Sequence, residues 1–104
     1  AAARLRAAGA PVVAIDDAPA LSATDAVSAD NVGGARELTA HLLGLGHGRI
    51  ALLNGRAGST PARERERGFR LAVADAGAAA DERLILPGQW SAGDAARRMS
   101  ALLR

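Results

Sequence analysis

Short apolar runs alternate along the chain with longer stretches that have helical spacing. The run from Val12 to Asp16 predicts a buried strand, and residues 26–29 predict a second, weaker one. A helix is expected from Asn31 to about Leu45, with Asp30 or Asn31 as its N-cap. The elements expected after it are a strand over 50–53, a helix from Thr60 to about Ala76, a strand over 83–86 and a helix from Ala92 onward.

Two of these helices carry an apolar stripe that we expect to face a core. The stripe of the first consists of Ala35, Leu38, Leu42 and Leu45, and that of the last consists of Ala95, Ala96, Met99, Leu102 and Leu103. The first helix also contains Gly33 and Gly34, which each cost about 1 kcal/mol relative to alanine inside a helix. Close packing at these two positions is the expected reason.

Strands that alternate with helices in this order favour an α/β fold with parallel strands and flanking helices. The opening residues AAARLRAAG are typical of the end of a helix, with Gly9 as its C-cap and Pro11 beyond it. The chain stops at Arg104, inside an apolar helical pattern. Both ends therefore resemble cut ends, and we expect a fragment of a longer protein.

Composition removes several classes of function. The 104 residues carry a net charge of only +2, so composition gives no case for nucleic-acid binding, although all thirteen basic residues are Arg. Cys is absent, which excludes disulfides and thiolate metal sites and fits a reducing compartment. No apolar run approaches the roughly 18 residues of a membrane span, and no signal-peptide pattern opens the chain.

The familiar catalytic and cofactor motifs are incomplete or absent in this sequence. The loop Asn54 to Thr60 follows a strand like a phosphate loop, but the chain has no Lys to reach phosphates. The spacing of His41 and His47 does not indicate a shared metal. No G-x-S-x-G nucleophile elbow is present. We therefore predict neither an enzyme nor a bound metal or cofactor.

Four residues lie where an α/β sheet binds ligands, just after a predicted strand or in the first turns of the following helix. They are Asp30, Ser59, Arg65 and Trp90. On local grounds Asp30 is most simply an N-cap, and Ser59 a loop or cap residue. Trp90 is the single Trp, and a loop Trp at a strand end is well suited to stack on a sugar face or a heterocycle.

The helix that begins near Thr60 and Pro61, with Thr60 as its hydroxyl cap, is rich in arginine. Arg63, Arg67 and Arg70 share one side, which is typical of a solvated charged face. Arg65 instead projects close to Phe69, on the core-facing side. A cation there needs a carboxylate, carbonyl groups or a ligand, so an internal ion pair and a ligand contact both stay open.

The same residues carry a resemblance to a known family. Residues 11–103 resemble the effector-binding core of the lac repressor/galactose repressor family of bacterial transcription regulators. The matching segments are PVVAID, DNVGGARELTAHLLGLGHGRIALLNG, ARERERGFRLAVADAG and GQWSAGDAARRMSALL. The most specific parts are the L-x-x-L-G-H-x-x-I-A element and the R-x-x-G-F element.

The resemblance implies a periplasmic-binding-protein-like fold, with two α/β lobes and the effector between them. It assigns residues 1–46 to part of the N-terminal lobe, 47–48 to the crossover and 49–104 to part of the C-terminal lobe. The DNA-binding head would be absent from this segment.

The resemblance also gives roles to the four candidate residues. Asp30 matches the acidic effector contact, Ser59 falls in the effector-facing loop, and Arg65 matches the arginine that grips the effector. Trp90 matches the aromatic position that stacks on it, as in sugar-responsive members. Pro61 departs from members that have a small polar contact there, so one hydrogen bond to a sugar is expected to be missing.

The function that the resemblance implies is that of a cytoplasmic, sugar-responsive transcription regulator. Effector binding between the lobes would modulate DNA binding through the absent head, in a homodimer without membrane contact. The alternative is a periplasmic sugar-binding protein of a transporter, which has the same fold and the same site logic. A purine-like effector also stays open.

Overall fold

Four helices and four short strands make up the described part of the chain, residues 2–16, 25–89 and 91–104 of a computed structural model. In chain order these elements are α1 (Ala2–Ala7), β1 (Val13–Ile15), β2 (Asp25–Val27), α2 (Asn31–Gly44), β3 (Leu52–Leu53), α3 (Thr60–Asp75), β4 (Ile85–Leu86) and α4 (Ala92–Leu102). A 3-10 turn over Glu82–Leu84 leads into β4. The strand and helix order is the one that the apolar pattern predicts.

The strands form two parallel pairs. β1 pairs with β2, with Ala14 opposite Ala26, and β3 pairs with β4, with Leu53 opposite Leu86. One further bond extends each ladder at its carboxyl end, Asp16 N to Val27 O at 2.9 Å and Asn54 N to Leu86 O at 2.8 Å. Because the strands of each pair are parallel, each pair has both of its carboxyl ends at the same edge, as the α/β prediction requires.

Helices α2 and α3 pack closely where Gly68 meets the backbone of α2. A Cβ atom at Gly68 would lie 2.2 Å from the carbonyl oxygen of Val32 and 2.9 Å from the amide nitrogen of Arg36. Only a residue without a side chain allows this approach. The buried apolar residues of α3 lie around this contact, and they are Ala62, Phe69, Ala72 and Val73.

Polar contacts join the same two helices on either side of Gly68. Asn31 Nδ2 donates to Glu64 Oε1 at 3.3 Å near the start of both helices. Farther along, Arg36 Nε donates to Asp75 Oδ2 at 3.0 Å. The contacts follow the same order along α2 and α3, so the two helices run in the same direction.

The apolar stripes predicted for α2 and α4 are wrong in part. Leu38 of α2 and Leu45 directly after it are each 63% exposed, and the buried residue of α2 is Thr39, whose hydroxyl donates to Ala35 O at 2.7 Å. α2 is turned this way because it approaches α3 through the face that meets Gly68. In α4, Met99 and Leu103 are exposed, and the buried residue is Asp94.

The predicted helix ends also need correction. Ser59, not Thr60, is the N-cap of α3, since its Oγ accepts from Ala62 N at 3.3 Å and Pro61 lies one position farther in. The strand expected over 83–86 begins later, because Asp81 accepts from Arg83 N at 3.0 Å and caps a 3-10 turn. β2 ends at Val27, and β3 is shorter than predicted.

Gly9 closes α1 as predicted, and of the two glycines inside α2 only Gly33 is a close-packing position. Gly9 follows α1 with φ +83°, and Gly46 follows α2 with φ +97°. A Cβ at Gly34 would meet open space, whereas one at Gly33 would overlap the carboxylate of Asp30, whose Cγ would lie 2.8 Å away. The close contact between two helices lies at Gly68.

We expect Gly68→Ala to destabilise the intact protein by about 1–3 kcal/mol, because overpacking forces the α2 and α3 backbones apart. Gly34→Ala is the matched control, since its new methyl group meets nothing and should add about 0.5–1 kcal/mol of helix stability. Urea unfolding of both variants measures the difference. Equal stabilities would contradict the close contact at Gly68.

Candidate functional site

A cleft of about 540 Å³ lies at the carboxyl ends of the strands. Its walls come from the segments that follow β1, β2, β3 and β4 and from the first turns of α2 and α3. The lining residues are Asp16, Ala29, Asn31, Gly55, Arg56, Ser59, Pro61, Arg65 and Gln89. This is the position at which open α/β sheets bind ligands.

Ser59 lines this cleft at the start of α3. Its backbone is extended, its Oγ accepts from Ala62 N, and its carbonyl oxygen accepts from Arg63 N at 3.1 Å. The capping bond uses the hydroxyl as an acceptor, so the hydroxyl proton stays available to a ligand. Ser59 is therefore both a cap, as its local sequence predicts, and a wall of the cleft.

Arg65 lines the cleft one helical turn after the start of α3. It is half-buried, and it shares a face with Ala62 and Phe69, which are both buried. Arg67, two residues on, is exposed. The helical spacing thus separates the cleft-facing arginine from its solvated neighbour as predicted.

Asp30 is the N-cap of α2, as its local sequence predicts. Its Oδ1 accepts from Gly33 N at 2.9 Å, and its carbonyl oxygen accepts from Gly34 N at 2.9 Å. The side chain is exposed and is not among the cleft-lining groups, although the residues on either side, Ala29 and Asn31, both line the cleft. Asp30 therefore stands at the rim.

Trp90 lies outside the described residues. The residue before it, Gln89, lines the cleft, and the residue after it, Ser91, is the N-cap of α4.

Four polar residues of the cleft were missed by sequence reasoning: Asp16, Asn31, Arg56 and Gln89. Asp16 could have been found, because it ends the first strand and obeys the same strand-end rule as the others. In the described part of the chain it is the one non-glycine residue with a positive φ, at 70°. The sequence does not mark Arg56 as a cleft residue, because charged residues are common in loops.

Asn54 ties the loop after β3 to β4 and to α3. Its backbone N donates to Leu86 O, its Nδ2 donates to Ala62 O at 2.7 Å, and its Oδ1 accepts from Gly55 N at 2.9 Å. These bonds hold the loop after β3 against the start of α3. Ser59 and Arg65 are positioned by the same attachment.

Arg70 differs from the solvated arginines with which its spacing groups it. It is half-buried, and it donates to both carboxylate oxygens of Glu82 at 2.6 and 2.7 Å and to Glu66 at 3.1 Å. The forked bond to Glu82 raises the pKa of Arg70 and lowers the pKa of Glu82. This contact ties α3 to the turn before β4, whereas Arg63 and Arg67 are exposed as predicted.

The cleft presents groups suited to a ligand rich in hydroxyl groups. The guanidinium groups of Arg56 and Arg65 donate, the carboxylate of Asp16 accepts, and the amides of Asn31 and Gln89 do both. Across residues 2–16, 25–89 and 91–104, no group of three His, Cys, Asp or Glu side chains could hold a metal ion. None of the helices in these ranges is both long and apolar enough to cross a membrane.

Comparison with known proteins gives relatives of one kind. The regulator DegA of Bacillus subtilis is 38% identical over 81 residues, which are 78% of this chain and 24% of DegA. Among solved structures, the CelR regulator in complex with cellobiose superposes with a TM-score of 0.82 at 33% identity, covering 95% of this chain and 31% of CelR. The repressor AscG of Escherichia coli gives 0.75 at 27% identity, covering 98% and 38%.

This chain thus spans about a quarter of the length of the curated relatives that it matches. The sequence matches the family of periplasmic binding protein domains over residues 1–104. The parallel strand pairs, the strand-end cleft and the regulators to which the chain is similar in sequence and in structure agree with that match. The chain therefore belongs to the periplasmic binding protein domain family, in the form found in the effector-binding cores of lac repressor-type transcription regulators.

Proposed function

We propose that the cleft binds a sugar effector in a cytoplasmic transcription regulator, and that this binding modulates how the intact protein binds DNA. The observation that carries the proposal is the joint placement of Ser59 and Arg65 in one strand-end cleft. Asp16, Asn31 and Gln89 add acceptors and donors to the same walls. The neighbouring CelR structure, which contains cellobiose, supports a sugar as the ligand class.

Each candidate residue has a distinct chemical part in this proposal. Arg65 donates a fork of hydrogen bonds to sugar hydroxyl groups, and Ser59 adds a hydroxyl donor. Asp30 caps α2 with one carboxylate oxygen and accepts from the sugar with the other. Trp90 covers the apolar face of the sugar. No bond is made or broken.

The proposed transmission of binding uses two lobes. Residues 1–46 contain the β1–β2 pair and residues 49–104 contain the β3–β4 pair, with the crossover at 47–48. The cleft takes walls from both parts, so a sugar that contacts both would favour their closure. In a homodimer this closure would change the spacing of DNA-binding heads outside the segment.

A ligand screen tests the proposal against its alternatives. Thermal shift of the intact protein against neutral sugars, cellobiose included, and against purine bases should show stabilisation by a sugar. Stabilisation by a purine base alone would contradict the sugar assignment. The relatives are regulators, which favours regulation over a role as the periplasmic binding protein of a transporter.

We expect Arg65→Ala to weaken sugar binding in the intact protein by about one to two decades, because it removes charge-assisted bonds of roughly 1.5–3 kcal/mol. Arg67→Ala should change affinity by less than about 0.5 kcal/mol, because its side chain is exposed on the same helix. Arg65→Lys should also fail, since an ammonium group lacks the planar fork. Calorimetric titration compares the three variants, and equal affinities for the two alanine variants would contradict the assignment of Arg65.

Asp30→Asn should separate capping from ligand contact. Asn caps helices as well as Asp, so the free energy of unfolding should change by less than about 0.5 kcal/mol. The lost charge should weaken sugar binding by about tenfold or more. Asp30→Ala should lose stability as well, by about 1 kcal/mol. Urea unfolding and titration of both variants provide the test, and unchanged affinity in Asp30→Asn would remove Asp30 from the site.

A further inference from the structure

The buried residue of α4 is a carboxylate, which is unusual for a helix that carries apolar residues. Asp94 is 9% exposed, whereas Met99 and Leu103 on the same helix are 44% and 79% exposed. A carboxylate withdrawn from water needs hydrogen-bond partners. The hydrogen-bond partners of Asp94 indicate the role of the buried carboxylate.

Asp94 bonds within its own helix and beyond it. Its Oδ2 accepts from Arg98 Nε at 2.9 Å, and its Oδ1 lies 3.8 Å from Arg97 Nη2, both within α4. The same Oδ2 accepts from the backbone N of Gln89 at 3.0 Å, which lies before the helix in the cleft wall. The bond from Gln89 first, and then that from Arg98, hold the pKa of Asp94 below its usual range, so the carboxylate is charged at neutral pH.

The bond to Gln89 departs from the usual capping arrangement. Ser91 caps α4 by accepting from Asp94 N at 3.1 Å, and in a capping box the acid three residues on would accept from the N-cap's own amide. Asp94 reaches two residues farther back instead. The residues on both sides of position 90 are thereby bonded to one residue, Asp94.

The segment before Gln89 is held from the opposite side by the loop after β3. Gly88 N donates to Gly55 O at 3.1 Å. A Cβ at Gly88 would lie 2.6 Å from Asp94 Oδ2 and 2.8 Å from Asn54 O. Gly88 therefore occupies a slot between Asp94 and the backbone of Asn54, in which no side chain fits.

We propose that Asp94 is a positioning residue for the cleft: it fixes the backbone at Gln89, which forms part of the cleft wall. Its consequence for binding rests on the function proposed above. Asp94 itself is not a cleft-lining residue, so it acts through the backbone of Gln89 and not by contact with a ligand.

Amide hydrogen exchange in the intact protein, without any ligand, tests the positioning directly. Asp94→Ala should speed exchange of the Gln89 amide by about tenfold or more, because a charge-assisted bond to that amide is lost. Ser91→Ala is the matched control, since it weakens the start of α4 by removing its N-cap but leaves the bond between Gln89 and Asp94. Unchanged exchange at Gln89 in Asp94→Ala, or equal acceleration in Ser91→Ala, would overturn the proposal.

Titration with cellobiose tests the consequence for binding. Asp94→Ala should lose about tenfold in affinity, and Ser91→Ala clearly less at a similar loss of thermal stability. Equal losses in both variants would mean that Asp94 acts only by stabilising the start of α4, and would overturn the positioning role. If wild-type protein binds no sugar of the panel, the proposed function fails, while the exchange measurement still decides whether Asp94 holds Gln89.

Discussion

The close approach of α2 and α3 at Gly68 is the constraint on which the cleft depends. β1 and β2 form one sheet and β3 and β4 form another, and in the described ranges no ladder joins the two. The relative placement of their carboxyl ends therefore comes from helix packing. With Gly68 against the backbone of Val32 and Arg36, the loop after β3 and the start of α3 reach the residues that follow β1 and β2.

Much of this architecture was predictable from the sequence, because the relevant signals are local. Apolar runs gave the strand and helix order, and Asp30 was found as a cap because capping uses a bond over three residues. Ser59 and Arg65 were predicted to lie together because both follow a strand at its carboxyl end, and both line one cleft. The resemblance to lac repressor-type cores agreed with the regulators to which the chain is similar.

What could not be predicted depends on contacts between distant residues. The apolar stripe predicted for α2 is wrong in part because Gly68, which is distant in the sequence, selects the face that packs and leaves Leu38 exposed. Arg70 has the spacing of a surface arginine, and its forked bond to Glu82 depends on where the chain returns after α3. Asp94 was overlooked because an acidic residue in the first turn of a helix normally serves that helix alone.

Helix α3 carries the cleft contact and the α2 contact on one rigid rod. With a rise of about 1.5 Å per residue, Arg65 lies about 4.5 Å along the axis from Gly68, and Asp75 lies about 10.5 Å away on the other side. If Gly68 acts as a fulcrum, a tilt that moves Arg65 by a given amount moves Asp75 roughly twice as far in the opposite direction. Such a lever amplifies displacement and not force, so a small movement at the cleft end would become a larger displacement at the ion pair between Asp75 and Arg36.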